Sequence, residues 1–338
     1  MDPLSQGVVG AALAQAFAKR TELRAATLVG AVGGLLADVD IFIRSANDPL
    51  LNLEWHRHFT HALVFVPIGG WIAALLCGWF LRRRMSFRKI YAYACLGYMS
   101  AGVLDACTTY GTYWLWPFTD ARIAWNVIAI IDPIFTLTLV VLTVVACIRC
   151  ACWLGRLSVV FAVLYLSLGV WQRERAYDAM AILAEQRGHR PTRMLVHPTI
   201  GNIILWRSLY EKDDRIYVDA VNIGIFDRVP HYYPGDSVAQ YARVEQLLGV
   251  EEGTVLAEDI KRFATFSADW LGYPKGDPPY VIGDLRYSMI PNSLDPLWGI
   301  IVHPAFPDRH APFEHYRTFD RNDRALFFQM LFKDTLGH

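Results

Sequence analysis

Apolar residues in the first half of the chain form long runs separated by short polar stretches. In the second half they form short, alternating groups. Residues 7–18 are apolar and small but span only 12 positions. Crossing a bilayer takes about 20, so they read as a half-helix or re-entrant segment. Longer runs at 25–43, 62–81, 90–107, 126–148 and 156–171 predict five membrane-spanning helices. The first carries Gly30, Gly33 and Gly34 along one face, a pattern that lets helices approach closely. Beyond 171 the periodicity changes. Residues 173–187 predict a helix that stops at Gly188. Strand-like runs follow at 193–197, 203–210 and 215–223, broken by Pro198, Gly201 and the Lys212-Asp213-Asp214 turn. Amphipathic helices are predicted at 237–248 and 254–268, strands at 279–289 and 297–303, and a closing helix at 322–335. The expected fold is an α-helical polytopic membrane domain over 1–171, with about five spans plus the N-terminal half-helix. A soluble α+β domain with a mainly antiparallel sheet follows over 172–338.

Composition sharpens the division. Hydrophobic residues make up 54% and mean hydropathy is +0.25, both leaning towards a membrane protein. Residues 1–171 hold 13 Lys/Arg and 9 Asp/Glu, whereas 172–338 hold 19 and 23. A formal net charge of +0 argues against a nucleic-acid partner. The loop at 82–89 has five basic residues and no acid, so the positive-inside rule keeps it in the cytoplasm. Counting spans from there puts the basic stretches 19–24 and 149–156 inside as well. The same count puts 44–61, 108–125 and everything after 171 outside, which makes the second domain extracytoplasmic. Residues 1–5 lack the basic start of a cleavable signal, and no small-residue cleavage site follows a long apolar core. All 6 Cys (77, 95, 107, 147, 150, 152) lie in the front half, so the back half builds no disulfides. Cys147, Cys150 and Cys152 have metal-like spacing but no second pair, and read as apolar filler at a membrane end.

This topology gathers the chemistry of the front half at one membrane face. Asp38 and Asp40 lie near the end of the first expected span, Asp105 near the end of the third, and Asp132 near the start of the fourth. His56, His58 and His61, the only histidines of the front half, immediately precede the second. A carboxylate in apolar sequence is costly and needs a partner. Taken singly, each is explained by an arginine partner or a helix cap, and a single loop histidine by exposure. Four converging carboxylates beside three imidazoles read as a divalent metal site, because a cation lets like charges share one pocket. Oxygen and nitrogen ligands suit a zinc-like ion. On a helix His58 and His61 share a face and His56 and His61 do not. The latter two reach one centre only if His56 stays in the loop and His61 opens the helix, with Thr60 as cap or as partner of an imidazole. Arg57 lies inside the His cluster and suits an anionic substrate. Arg44 and Arg122, on the same face, are equally explained as headgroup anchors. Thr108, Thr109, Tyr110 and Thr112 offer hydroxyls, and Trp114 and Trp116 fit an interfacial belt. In the back half Asn202, Trp206, Arg207, Asp219, Asp284, Arg286 and Tyr287 read mostly as sheet surface, and seven histidines show no ligand spacing.

In order along the chain, DPLSQGVVGAALAQA from Asp2, LLADVD around Asp38 and Asp40, HRHFTHALVF from His56, LDACTTYGT around Asp105, LWPFTDARIAWN and IIDPIFTL resemble the membrane-bound, metal-dependent hydrolases of the YdjM type. LWRSLY, YVDA, GDLRYSM and PLWGI carry the resemblance through the back half. It implies a polytopic inner-membrane hydrolase with metal held at Asp38, Asp40, His56, His61 and Asp105, and with Asp132 nearby. The chain departs from the family pattern at Ser5-Gln6, where many members have Thr-His, and at Ala101, four residues before Asp105, where most have His. It thus has two imidazoles fewer than the fullest pattern.

The expected function is metal-dependent hydrolysis at the outer bilayer face. The metal, expected to be zinc, activates a water against a lipid-linked or amphiphilic ester or phosphoester. Arg57 faces an anionic group, and Asp132, if not a ligand, accepts the proton. Two other classes stand beside this one. A metal transporter or sensor needs ligands spread through the depth of the bundle. A non-catalytic member keeps a degenerate site, and Ala101 is its best support.

Overall fold

The structure is a computed structural model that describes residues 1–240, 249–272, 280–316 and 320–333. Its elements fall into two compact units. One comprises Met1–Phe42, Trp55–Trp171 and Ile200–Ile203, the other Ile43–Glu54, Gln172–Thr199 and Ile204–His338.

The first unit is helical. Helix α1 (Pro3–Phe17) begins where the Asp2 carboxylate caps it and Pro3 occupies its first turn. Helix α2 (Leu23–Leu36) runs directly into a 3-10 turn at Ala37–Phe42. A short α3 (Leu51–Trp55) precedes two further 3-10 turns, Phe59–His61 and Leu63–Phe65. Then come α4 (Val66–Leu81), α5 (Phe87–Ala106), α6 (Pro133–Arg149) and the start of α7 (Cys152–Gln186). Among the described residues, three stretches are long and apolar enough to cross a membrane: Leu23–Phe42, Leu63–Leu81 and Cys152–Gln186. Helix α6 is apolar but shorter. Helix α5, though 20 residues long, carries Arg88, Lys89, Asp105 and three tyrosines. The last expected span and the helix expected after it are one continuous α7.

Polar side chains point inward in this unit and apolar ones outward. Gln6, Gln15, His61 and Asp105 are buried, while Leu76, Trp79, Phe80, Leu137 and Val141 are exposed. That order is inverted for water and natural for lipid, which offers polar groups no partner. Three helices meet backbone to backbone. A Cβ on Gly30 of α2 would strike the Gly10 carbonyl and the Ala14 methyl of α1, and one on Gly97 of α5 would strike the Gly30 carbonyl. Small residues at the meeting point allow this closeness where no hydrophobic force between helices exists. Ala26, Val29, Ala73, Ala74 and Ala94 fill the surrounding core.

The second unit is built on antiparallel sheets. Strands β1 (Arg193–Pro198), β2 (Leu205–Lys212) and β3 (Arg215–Asn222) form a meander in which Leu209 lies opposite Val218. Strands β4 (His231–Tyr233) and β5 (Ser237–Ala239) both pair with β3. A second sheet runs β6 (Leu271–Gly272), β7 (Tyr280–Asp284), β8 (Trp298–Val302) and β9 (Phe313–His315). Helix α8 (Val255–Phe266) is capped by Thr254, and α9 (Arg321–Phe332) opens on an Asp320–Asp323 capping box. Of the helix expected at 237–248, residues 237–239 are strand β5 and 241–248 lie outside the described residues, as do residues 279, 334 and 335 at the ends of other expected elements.

Two expectations are corrected here. Trp206, Arg207, Asp219, Asp284 and Arg286 are buried rather than on a sheet surface. The Arg207 guanidinium donates to the carbonyls of Leu285 (2.7 Å) and Pro291 (2.7 Å), and Arg286 pairs with Asp284 (2.7 Å). Segment 43–54, expected as a plain polar loop, is anchored in the second unit by Arg262 of α8. This guanidinium bonds Asp48 at 2.9 and 3.1 Å, Glu54 at 2.9 Å and Asp259 at 3.0 Å. Burial would raise the Asp48 carboxyl, but the Arg262 guanidinium overrides it and holds the group below the usual carboxylate range. Asp259 also accepts from the Ala311 amide at 2.8 Å and lies 2.9 Å from His310 Nδ1. Asp48, Asp259 and His310 are close enough to share an ion. The arginine among them already supplies the positive charge, so we read this group as a structural ion-pair network.

Candidate metal centre

Three separate segments of the first unit bring their acids and one imidazole together. Asp38 comes from the 3-10 turn that ends α2, His61 from the turn Phe59–His61, and Asp105 from the last turn of α5. One ligand atom from each lies within 4.8 Å of the others. His61 Nε2 is 3.2 Å from Asp38 Oδ1 and 3.0 Å from Asp105 Oδ2. Helix α5 positions the histidine as well as the acid. The Tyr98 hydroxyl donates to the Thr60 carbonyl at 2.8 Å. The absence of a side chain on Gly102 lets the His61 carbonyl lie against the helix.

The remaining expected residues are divided by the fold. Asp40 is buried behind His61 and not in the group of three. Its oxygens take the Arg57 amide at 2.8 Å, the Thr60 hydroxyl at 2.5 Å and His56 Nδ1 at 2.8 Å, and lie 3.4 Å from His61 Nδ1. A carboxylate on the far nitrogen of an imidazole fixes its tautomer and orientation. His56 is held by Asp40 and packs its ring 5.6 Å from that of Tyr110. His58 sits among Trp55, Tyr113 and Trp116, outside the group. Asp132 is not there either. It caps α6, accepting from the Phe135 amide at 3.1 Å and the Tyr165 hydroxyl at 2.8 Å. Both oxygens are engaged there. Ala101 is buried in an apolar cluster with Ala37 and Tyr98.

Arg57 lies beneath the group. It is buried, its Nε is 3.2 Å from Asp105 Oδ2, and its guanidinium carbon is 4.6 Å from the centre of the Tyr110 ring. Its φ of 62° is left-handed, a conformation seldom adopted outside glycine. The backbone is pinned there from both sides. Its amide donates to Asp40, and its carbonyl accepts from the Thr112 hydroxyl at 3.0 Å and the Tyr113 amide at 3.2 Å. Strained residues held in this way cluster at functional sites. A second residue emerges that the sequence marked only as a departure from the family pattern. The Gln6 amide nitrogen donates to Asp105 Oδ2 at 3.0 Å and to Asp38 Oδ1 at 3.3 Å. The amino group of Met1 contacts the other oxygen of Asp105.

The arrangement fits a divalent cation. Asp38, Asp40 and Asp105 face one guanidinium and one amino group, which leaves negative charge over. His61, which lies between two candidate spans, responds to that excess. Burial alone would lower its imidazole; Asp105, Asp38 and Asp40 overcome this and hold it up at about 10. Its Nε2 is buried between the two carboxylates, where a proton on the ring pairs with both and a cation replacing that proton would be held by all three side chains.

A family model described as YdjM inner membrane protein matches residues 1–176. The chain is also 32% identical over 107 residues to a protein of Escherichia coli (strain K12) described as inner membrane protein YbcI. That alignment takes in 30% of this chain and 60% of the relative, so less than two thirds of the relative's length is covered. No solved structure matches the chain.

Proposed function

The chain belongs to the YdjM inner membrane protein family, and from that premise we propose that it is a membrane-embedded, metal-dependent hydrolase. Asp38, His61 and Asp105 hold the ion, and Asp40, His56 and Arg57 orient them. The observation that carries this reading is the meeting of three ligand atoms from distant segments, with His61 Nε2 buried between the Asp38 and Asp105 carboxylates. A divalent ion bound there supplies a water of lowered pKa and a positive charge beside the scissile group. Of the three ligand residues only Asp38 keeps part of its side chain exposed, 16% against 0% for the other two. It is therefore the group that entering water or substrate meets, and the one placed to accept a proton. Arg57 keeps Asp105 in place and lends positive charge to the floor of the site, which suits a phosphoester better than a neutral ester. The lipid-facing surface of the unit supports a lipid-linked or amphiphilic substrate.

The test is hydrolysis by the purified full chain in detergent, with long-chain phosphomonoester, phosphodiester and carboxylic ester substrates. Chelator-treated protein is expected to be inactive and to recover on adding back zinc or manganese. Bound metal with no turnover on any of the three would overturn the hydrolase reading and leave a metal-binding membrane protein.

The same reading takes α5 and α6 as spans beside the three candidates, keeps residues 82–89 in the cytoplasm and puts the sheet-containing region in the periplasm. In intact cells with a permeabilised outer membrane, a cysteine at Asp213 is then expected to react with a membrane-impermeant maleimide. One at Arg83 is expected to react only after the inner membrane is broken. The reverse labelling would invert the topology.

A further inference from the structure

Gln6 lies on the first turns of α1 and is fully buried. Its amide nitrogen is shared between Asp105 and Asp38, the two carboxylates of the candidate centre, at 3.0 and 3.3 Å. The other end of the amide, Oε1, is buried with no hydrogen-bond partner among the described residues. Buried amide oxygens are nearly always paired, so an amide with its donor end in the ligand cluster and its acceptor end unsatisfied calls for an explanation.

The two ends of a primary amide are close to isosteric, and a half-turn about the last side-chain torsion exchanges them. Without a cation, the N–H end faces two negatively charged oxygens and is the favoured one. With a cation between Asp38 and Asp105, the N–H end would face positive charge and the carbonyl end would be favoured. We infer that Gln6 is the fourth protein ligand of the centre, coordinating through Oε1 when metal is bound and holding the carboxylates apart through Nε2 when it is not. The inference rests on the metal centre proposed above. It changes the donor set to three oxygens from Asp38, Asp105 and Gln6 and one nitrogen from His61. Oxygen-rich sets suit manganese and magnesium, whereas imidazole suits zinc. Gln6 thus narrows the advantage that zinc ordinarily has over manganese.

The experiment uses the full chain in detergent. Mn²⁺ alone is titrated and free ion is followed by electron paramagnetic resonance. Zn²⁺ alone is titrated against a chromophoric chelator. Gln6→Ala is expected to weaken Mn²⁺ binding about tenfold or more. Gln6→Glu keeps an oxygen at the same place and is expected to hold Mn²⁺ at least as tightly as the native residue. Gln6→His is expected to shift the Zn²⁺-to-Mn²⁺ affinity ratio towards zinc by about tenfold. A residue that only donates to the carboxylates predicts the opposite for glutamate, which removes the N–H and adds a like charge. Gln6→Glu binding as weakly as Gln6→Ala therefore overturns the inference, and so does Gln6→Ala binding within about twofold of the native chain. Asp38→Ala is measured alongside. If it abolishes binding while the Gln6 variants do not weaken it, only the fourth ligand is wrong. If it leaves binding of both ions intact, the centre itself is misplaced. Matching thermal melts keep misfolded variants out of the comparison.

Discussion

Replacing His61 by alanine is expected to abolish metal binding at the proposed centre. The ring contributes the only nitrogen of the three-residue group, and its Nε2 stands 3.2 Å from Asp38 and 3.0 Å from Asp105. Alanine leaves the two carboxylates bridged by Gln6 alone among the described residues, with Arg57 and the Met1 amino group on Asp105. Removing a residue that merely orients a ligand typically costs 10- to 100-fold in metal affinity, so deleting the ligand is expected to cost on the order of 100-fold or more. Metal analysis of the purified chain reads the result directly, as loss of the metal-to-protein ratio found in the native protein. Asp132→Asn is the informative companion. That side chain is committed to the Phe135 amide and the Tyr165 hydroxyl, so its metal content is expected to match the native value. If His61→Ala keeps its metal, or Asp132→Asn loses it while remaining folded, the centre has been placed on the wrong residues.

The second large effect is expected far from that chemistry, at Gly30. Valine there would drive a side chain into the Gly10 carbonyl and the Ala14 methyl, and neither is the tip of a long side chain that can swing aside. Overpacking in a close-packed interior costs about 1–3 kcal/mol when neighbours can adjust. Here the neighbours are backbone and a methyl on that backbone, so the upper end of that range or beyond is expected. Leu28 of the same helix is 50% exposed, and Leu28→Ala is expected to stay within about 0.5 kcal/mol of the native chain in detergent. Thermal unfolding of both variants checks the contrast. Equal melting points would mean that α1, α2 and α5 do not meet as described.

Much of this architecture was legible in the residue pattern. Run length separated the helical region from the sheet region, and strands β1, β2, β3, β7 and β8 fall within a few residues of the alternating groups that announced them. Three spans stand on length and composition. The acids and histidines of 38–61 and 105 drew attention by being charged in apolar surroundings, which is a local signal. Which carboxylate joins the group of three and which one braces an imidazole is not local. Asp38 and Asp40 are two residues apart and differ only in the side of His61 they meet. Asp132 did carry a readable sign of its actual place, since an acid directly before Pro133 is the signature of a capped helix start. Gln6 gave no such sign, because its partners sit on the turn after α2 and on α5, and only the packing of three helices brings them together. Arg207 and Trp206 were misplaced because alternation records one covered face of a strand, and both faces of β2 are covered.

The stretch between Asp40 and His56 leaves the helical unit, is held by Arg262 in the other, and returns before the centre is complete. A ribosome makes these parts in a fixed order, and domains fold as units while the chain emerges. When the apolar helices have entered the bilayer, the residue that grips Asp48 and Glu54 has not yet been synthesised. Asp48 and Glu54 therefore stand without their Arg262 counter-charge until α8 has emerged, and a chain that stops before residue 255 never supplies it.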